Sequence, residues 1–196
     1  MLCIDTPIMY RELLFSKIQN NKKILIIDYK NNYNNLFDNI SLIKSLNLTI
    51  YYLNVNLNEI KNLENRLKEY EYDKIIFSNK DIDEIEGNYD IIIFFDLFCK
   101  FSNEIISTKL EKCKLLLKPN GSIIFINNII TKYNQYAYHP ISYFRSFFID
   151  NCIYISDLYD KIRENEMYVI DSYRLFTFQI PTYPIEFFSI ICKFKN

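Results

Sequence analysis

The sequence predicts an α/β domain built on a doubly wound, mostly parallel sheet of seven strands. Two observations carry this. Short apolar, β-prone runs alternate with helical stripes along most of the chain, and that alternation calls for parallel strands joined by crossover helices. One block, Tyr89 to Phe125, also spells out a complete strand–helix–strand unit, which is right-handed in nearly all proteins.

Within that block, Tyr89-Asp90-Ile91-Ile92-Ile93-Phe94-Phe95-Asp96 is an apolar run with a polar group at each end. Such a run suits a central parallel strand buried on both faces. A helical pattern follows from Ser102 to Leu117, where Ile106, Leu110, Cys113 and Leu117 recur at steps of four, three and four and make one face apolar. Pro119 cannot continue the helix, and Gly121 can adopt a positive φ to turn the chain. Ser122-Ile123-Ile124-Phe125 is the next strand.

The other elements follow in order. Met9 to Ile18 predicts a helix after Pro7, with Tyr10, Leu13, Leu14 and Ile18 on one face, so residues 1–20 read as an N-terminal helical cap. Lys23-Ile24-Leu25-Ile26-Ile27-Asp28 is a strand by its isoleucine content. Leu36, Ile40, Ile43 and Leu46 form a helical stripe, Leu48 to Asn54 a second strand, and Leu57, Ile60, Leu63, Leu67 and Tyr70 the next stripe. Lys74 to Ser78 is a third strand, with Asp81 in the loop after it. Beyond Phe125, residues 126–155 read as an aromatic lid with a short helix from Ile141 to Ile149. Ser156 is expected to cap a helix running to Glu166. Tyr168 to Thr177 and Phe187 to Phe194 are β-prone, with a turn at Pro181-Thr182-Tyr183-Pro184.

At 196 residues the chain suffices for one domain with a full core, and no boundary, repeat or linker divides residues 1–196. A net charge of −1 gives no support for nucleic-acid binding across the surface. No apolar run approaches the roughly 20 residues that cross a bilayer. The five cysteines are widely spaced, with no C-x-x-C pair, and read as reduced thiols of a cytoplasmic protein. One histidine and no Cys/His cluster of suitable spacing leave no metal site expected.

Tyr89-Asp90-Ile91 and Leu117-Lys118-Pro119-Asn120-Gly121 together resemble the second half of a class I S-adenosylmethionine-dependent methyltransferase. There a "(Y/F)-D-hydrophobic" strand leads to a helix that ends in L-K-P-x-G before another strand. The resemblance covers residues 20 to 196. It implies a Rossmann-like sheet in which the two late strands form an antiparallel pair at one edge. It also implies S-adenosylmethionine as cofactor, and the methyl acceptor then reads as a small molecule or a single strand held under the aromatic lid.

Three positions then become cofactor candidates: Asp28 after the first strand, Asn54 after the second and Asp81 after the third. The family's D-x-G-x-G-x-G turn is degenerate here. With Ile26 at the acidic position, Asp28, Lys30 and Asn32 replace its glycines; with Asp28 as the acid, Lys30, Asn32 and Asn34 do so. Asn and Asp tolerate left-handed backbone better than most residues, but Lys30 sets a charge where the cofactor belongs. Asn54 stands where an acid normally holds the ribose hydroxyls, and an amide bonds them without charge assistance. Asp81 fits the place of an acid beside the adenine.

Asp96, beyond the fourth strand, is the candidate for orienting a substrate or accepting its proton. The family's (N/D)-P-P-(Y/F) motif is absent there, which disfavours methylation of adenine N6 or a glutamine amide. Tyr138, His139 and Tyr143 are substrate-binding candidates within the aromatic lid, where planar groups stack. The lost glycines also motivate a rival reading: a catalytically inactive protein of the same fold serving as an interaction or regulatory subunit for a protein partner. A receiver domain is disfavoured because Asp28 is followed by Tyr29 and not by a second acid. A dehydrogenase is disfavoured by the missing glycines.

Overall fold

The structure is a computed structural model and describes residues 14–15, 17–29, 37, 40–54, 56–130, 153–180 and 183–195. Its elements are β1 (Lys23–Asp28), α1 (Ile40–Ser45), β2 (Thr49–Asn54), α2 (Leu57–Lys68), β3 (Ile75–Ser78), β4 (Tyr89–Phe95), α3 (Leu97–Lys100), α4 (Asn103–Leu116), β5 (Leu117–Ile130), β6 (Ile153–Tyr154), α5 (Ile155–Glu164), β7 (Met167–Ile180) and β8 (Tyr183–Phe194). Seven strands run in the order β3-β2-β1-β4-β5-β8-β7, and the two-residue β6 pairs with β5 off this path. β1 to β5 are mutually parallel, while β8 is antiparallel to both β5 and β7. The expected parallel sheet with an antiparallel C-terminal pair is what the chain forms.

The central strands have no polar face because both faces are covered. Leu25 and Ile27 of β1 join a cluster that includes Leu97 and Phe98 of α3, Ile106, Leu110 and Cys113 of α4, and Leu158 and Ile162 of α5. Ile24 and Ile26 join the opposite cluster, with Ile40 and Ile43 of α1 and Leu63 and Leu67 of α2. Alternation along a pleated strand sends neighbours to opposite sides, so a run of isoleucines is what a two-sided core requires.

The segment between α4 and the β4 ladder departs from expectation. β5 begins at Leu117, not at Ser122: Tyr89 pairs with Leu117 and Ile91 with Ser122, which bulges out Lys118 to Gly121 opposite Asp90 alone. The positive φ falls on Asn120, at 66°, and not on Gly121. Gly121 is needed for room instead. A Cβ there would lie 2.8 Å from Leu117 Cδ2, 2.9 Å from the Lys118 carbonyl oxygen and 3.2 Å from that of Asp90. The bulge is pinned by the Asp90 carboxylate, which accepts from the Lys23 backbone N–H and from Lys118 Nζ, both at 2.9 Å. Lys22 Nζ lies 3.8 Å away. Partial burial pushes the Asp90 carboxyl up, but the Lys118 and Lys23 hydrogen bonds and the lysine charges outweigh it and hold it below its ordinary value. The two halves of the sequence signature therefore meet at one ion pair.

Other expectations shift by smaller amounts. Ser156 lies inside α5 and donates to Asp157 Oδ1 at 3.2 Å, so it is not the cap. β7 and β8 are longer than the β-prone runs suggested, and Tyr183 and Pro184, expected in the turn, already belong to β8. β7 ends the sheet path opposite β3, and its pairing with β8 shifts register between Val169 and Asp171 and again between Arg174 and Phe176. Of the N-terminal cap, Leu14 and Phe15 are helical and fully buried; residues 1–13 lie outside the described residues. So does the expected lid helix at 141–149. At the far end of that lid segment, Ile153 and Tyr154 form β6 against Ile129 and Ile130.

Candidate functional site

In an open α/β sheet, ligands bind outside the carboxyl ends of the strands, where the strand order reverses. Here that point lies between β1 and β4. Asp28 ends β1, Asn54 ends β2 beside it in register, and Asp96 follows β4. The site is therefore assembled by topology from residues far apart in sequence.

Asp28 and Asn54 are brought together by a residue that the sequence reading overlooked. The Tyr52 hydroxyl donates to Asp28 Oδ2 at 2.7 Å and accepts from Asn54 Nδ2 at 3.3 Å. Asn54 Oδ1 accepts from the Asn56 backbone N–H at 2.8 Å, which turns the chain into α2. Asp28 and Asn54 are buried, at 0% and 1% exposed. Burial, and then the Asp28 charge, push the Tyr52 phenol well up, so it stays protonated and remains a donor. The signal for Tyr52 was its place two residues before Asn54, on the same face of β2.

Asp81 stands apart from that pair. Its carboxylate accepts from Lys109 Nζ at 2.6 Å, and Lys109 comes from the middle of α4 with its side chain only 7% exposed. The ammonium also lies 5.1 Å from the ring centre of Tyr29 and 5.4 Å from that of Phe101. Those rings meet edge to face at 4.8 Å. Burial first, and then the Asp81 charge, push the Tyr29 phenol far up. Lys109 sits three residues after Ile106 in α4, a spacing that places it beside the apolar stripe without naming its partner.

Asp96 is 1% exposed and holds a left-handed backbone, φ 56° and ψ 26°, where β4 turns into α3. Its N–H donates to the Ile126 carbonyl at 2.8 Å. Non-glycine residues occupy this region at a cost and are enriched at functional sites. Tyr138, His139 and Tyr143 lie outside the described residues, as do Lys30, Asn32 and Asn34. Among the described residues, no group of three or more His, Cys, Asp or Glu side chains is arranged to hold a metal. Cys113 and Cys192 are free and buried, and burial pushes the Cys192 thiol up to about 12.

No family model and no curated protein matches the sequence. Solved structures do match. YcgJ from Bacillus subtilis superposes with a TM-score of 0.63, at 10% identity, over 95% of this chain and 99% of its own. TehB from Haemophilus influenzae gives 0.63 at 14% identity over 94% of this chain, which spans 61% of TehB. Geranyl diphosphate C-methyltransferase from Streptomyces coelicolor, solved with magnesium, geranyl diphosphate and S-adenosyl-L-homocysteine, gives 0.66 at 7% identity over 93% and 78%. The chain has the class I methyltransferase fold. With β6 set aside, its strands renumber to the order 3-2-1-4-5-7-6. The methyltransferase fold places Asp28, Asn54 and Asp96 on one rim of the sheet. Among the described residues, no helix is long and apolar enough to cross a membrane.

Proposed function

We propose that this chain is a divergent S-adenosylmethionine-dependent methyltransferase, a single cytoplasmic domain acting on a small molecule. The observation that supports it is the rim itself: a carboxylate, an amide and a second carboxylate at the ends of β1, β2 and β4 of a methyltransferase fold. A buried carboxylate and amide side by side are chemically suited to sugar hydroxyls, so Asp28 and Asn54 are the residues that would hold the nucleoside. Asp81 fits less well, because Lys109 already engages it. S-adenosylmethionine, when bound, would supply an electrophilic methyl group. Asp96 would hold the acceptor in line and take its proton, and most of the rate gain would come from that placement.

Calorimetry and thermal shift with S-adenosylmethionine and S-adenosylhomocysteine test the reading. A ligand at about 100 times its Kd stabilises by about 2.7 kcal/mol, about 5–10 °C for a chain of this size. No heat and no shift with either ligand would overturn it.

A second reading has its own observation. Tyr52 satisfies Asp28 and Asn54 internally, and Tyr29, Phe101 and the Lys109–Asp81 pair pack together beside the end of β1. That arrangement suits a protein that keeps the fold as a scaffold for a protein partner. Copurification of a stable partner supports it, and turnover of the methyl donor by the isolated chain removes it.

A further inference from the structure

Asn127 is fully buried, and neither its Oδ1 nor its Nδ2 has a hydrogen-bond partner among the described residues. Buried amides left in this state are rare, because each unmet group costs free energy that a bond would return. Its position explains where a partner would come from. On one side β5 is paired with β8 as far as Ile129. On the other side the β4 ladder stops at the Phe95–Ile126 pair, and the β6 ladder starts only at Ile129. Asn127 and Asn128 therefore occupy a two-residue break between those ladders, one register step beyond Phe95, which brings Asn127 alongside Asp96.

Face alternation fixes the side chain's surroundings. Ile123 and Phe125 belong to the cluster beneath α3, α4 and α5, while Ile124 and Ile126 belong to the other. Asn127 thus falls on the Phe125 side, the side of Phe98, whose ring centre is 4.7 Å from that of Phe125. The Ser189 hydroxyl, also buried and unpartnered, is no substitute, since it pairs across from Ile126 and so faces the opposite way.

We infer that Asn127 is a substrate contact: its carboxamide receives a neutral donor–acceptor group, an amide or hydroxyl, in the break between β4 and β6 beside Asp96. The neighbouring carboxylate disfavours an anionic group there, and an amide matches a partner that both donates and accepts. This rests on reading the β4 rim as the acceptor end of the site, yet it is measured without the methyl donor.

The probe is acetamide, with acetate as the control. The Asn127 side-chain NH2 signals are assigned by their loss in Asn127→Leu. Acetamide is expected to shift those signals and to raise the melting temperature of the wild type but not of Asn127→Leu, while acetate does neither. Without probe, Asn127→Leu is expected to melt about 2–4 °C higher, since no bond is lost and an unmet polar group is removed. An NH2 pair that ignores acetamide, as one satisfied by an internal water would, overturns the inference. So does an Asn127→Leu protein that melts lower. S-adenosylhomocysteine binding by the same two proteins reports separately on the donor site, so failure there leaves this result legible.

Discussion

Removing either half of the Lys109–Asp81 pair should have unequal effects. Lys109 is buried at 7% exposure, whereas Asp81 is 40% exposed. Asp81→Ala strands an ammonium in a largely apolar place, where among the described residues the Tyr29 and Phe101 rings are left to it. Breaking a fully buried pair from one side costs about 3–5 kcal/mol. The water at Asp81 and roughly 1 kcal/mol from the rings reduce that to about 2 kcal/mol, or a fall in melting temperature of about 4–8 °C. Lys109→Met removes the buried charge, returns Asp81 to solvent and fills the space with a flexible apolar chain. Its cost should stay within about 1 kcal/mol, and the double variant should resemble it. Thermal and urea denaturation of the four proteins, monitored by circular dichroism, complete the cycle. If Asp81→Ala is as mild as Lys109→Met, or if the two losses simply add, the pair is not coupled and the argument from burial fails.

Asp90→Asn should lose about 1–2 kcal/mol at neutral pH, since the amide still accepts the Lys23 N–H but not as a charge. Because the folded carboxyl sits below its unfolded value, the wild-type advantage is complete above about pH 4 and vanishes as pH falls through the folded value. Urea titrations at pH 7 and in acid will show whether the gap closes. Gly121→Ala should cost about 1–3 kcal/mol from the clash with two backbone carbonyls, while Asn120→Gly changes stability by under about 1 kcal/mol; equal losses would refute the claim that space, not φ, selects the glycine. Tyr52→Phe should destabilise by about 1–3 kcal/mol through loss of the donor to buried Asp28, and a neutral result in denaturant melts would show that Asp28 does not depend on it. Cys113 and Cys192 should resist thiol reagents in the folded protein, because burial pushes both thiols up; rapid labelling of either by mass spectrometry would contradict their burial.

The long strands and helices of the sheet were legible because both-sided burial writes itself as unbroken isoleucine, and covering helices write themselves as three- and four-residue steps; α3 and β6, at four and two residues, are too short to show a period. Asp28, Asn54 and Asp96 were legible as strand ends, because a strand's last polar residue marks the rim. The hydroxyl between the first two was not, since pairing Tyr52 with Asp28 requires knowing that β1 and β2 lie side by side in register. The Lys109 contact was hidden for the same reason: nothing in an α4 sequence pattern says which loop lies across from it. The bulge at Lys118 to Gly121 misled in a different way. A Pro-x-Gly string usually signals a positive φ on the glycine, and here the preceding asparagine accepts it, so the glycine answers to crowding alone.

The two register breaks along β7 have a bearing on how the protein behaves at high concentration. They leave uninterrupted paired runs of Met167 to Val169, Asp171 to Arg174 and Phe176 to Ile180 on the outer margin. Stacked fibrils grow from segments of about six or seven residues that zip without a fault, and each run here is shorter than that. A second molecule sliding along this margin meets a kink before it gains a foothold, so the longer of the two edge strands among the described residues is also a poor template for polymerisation.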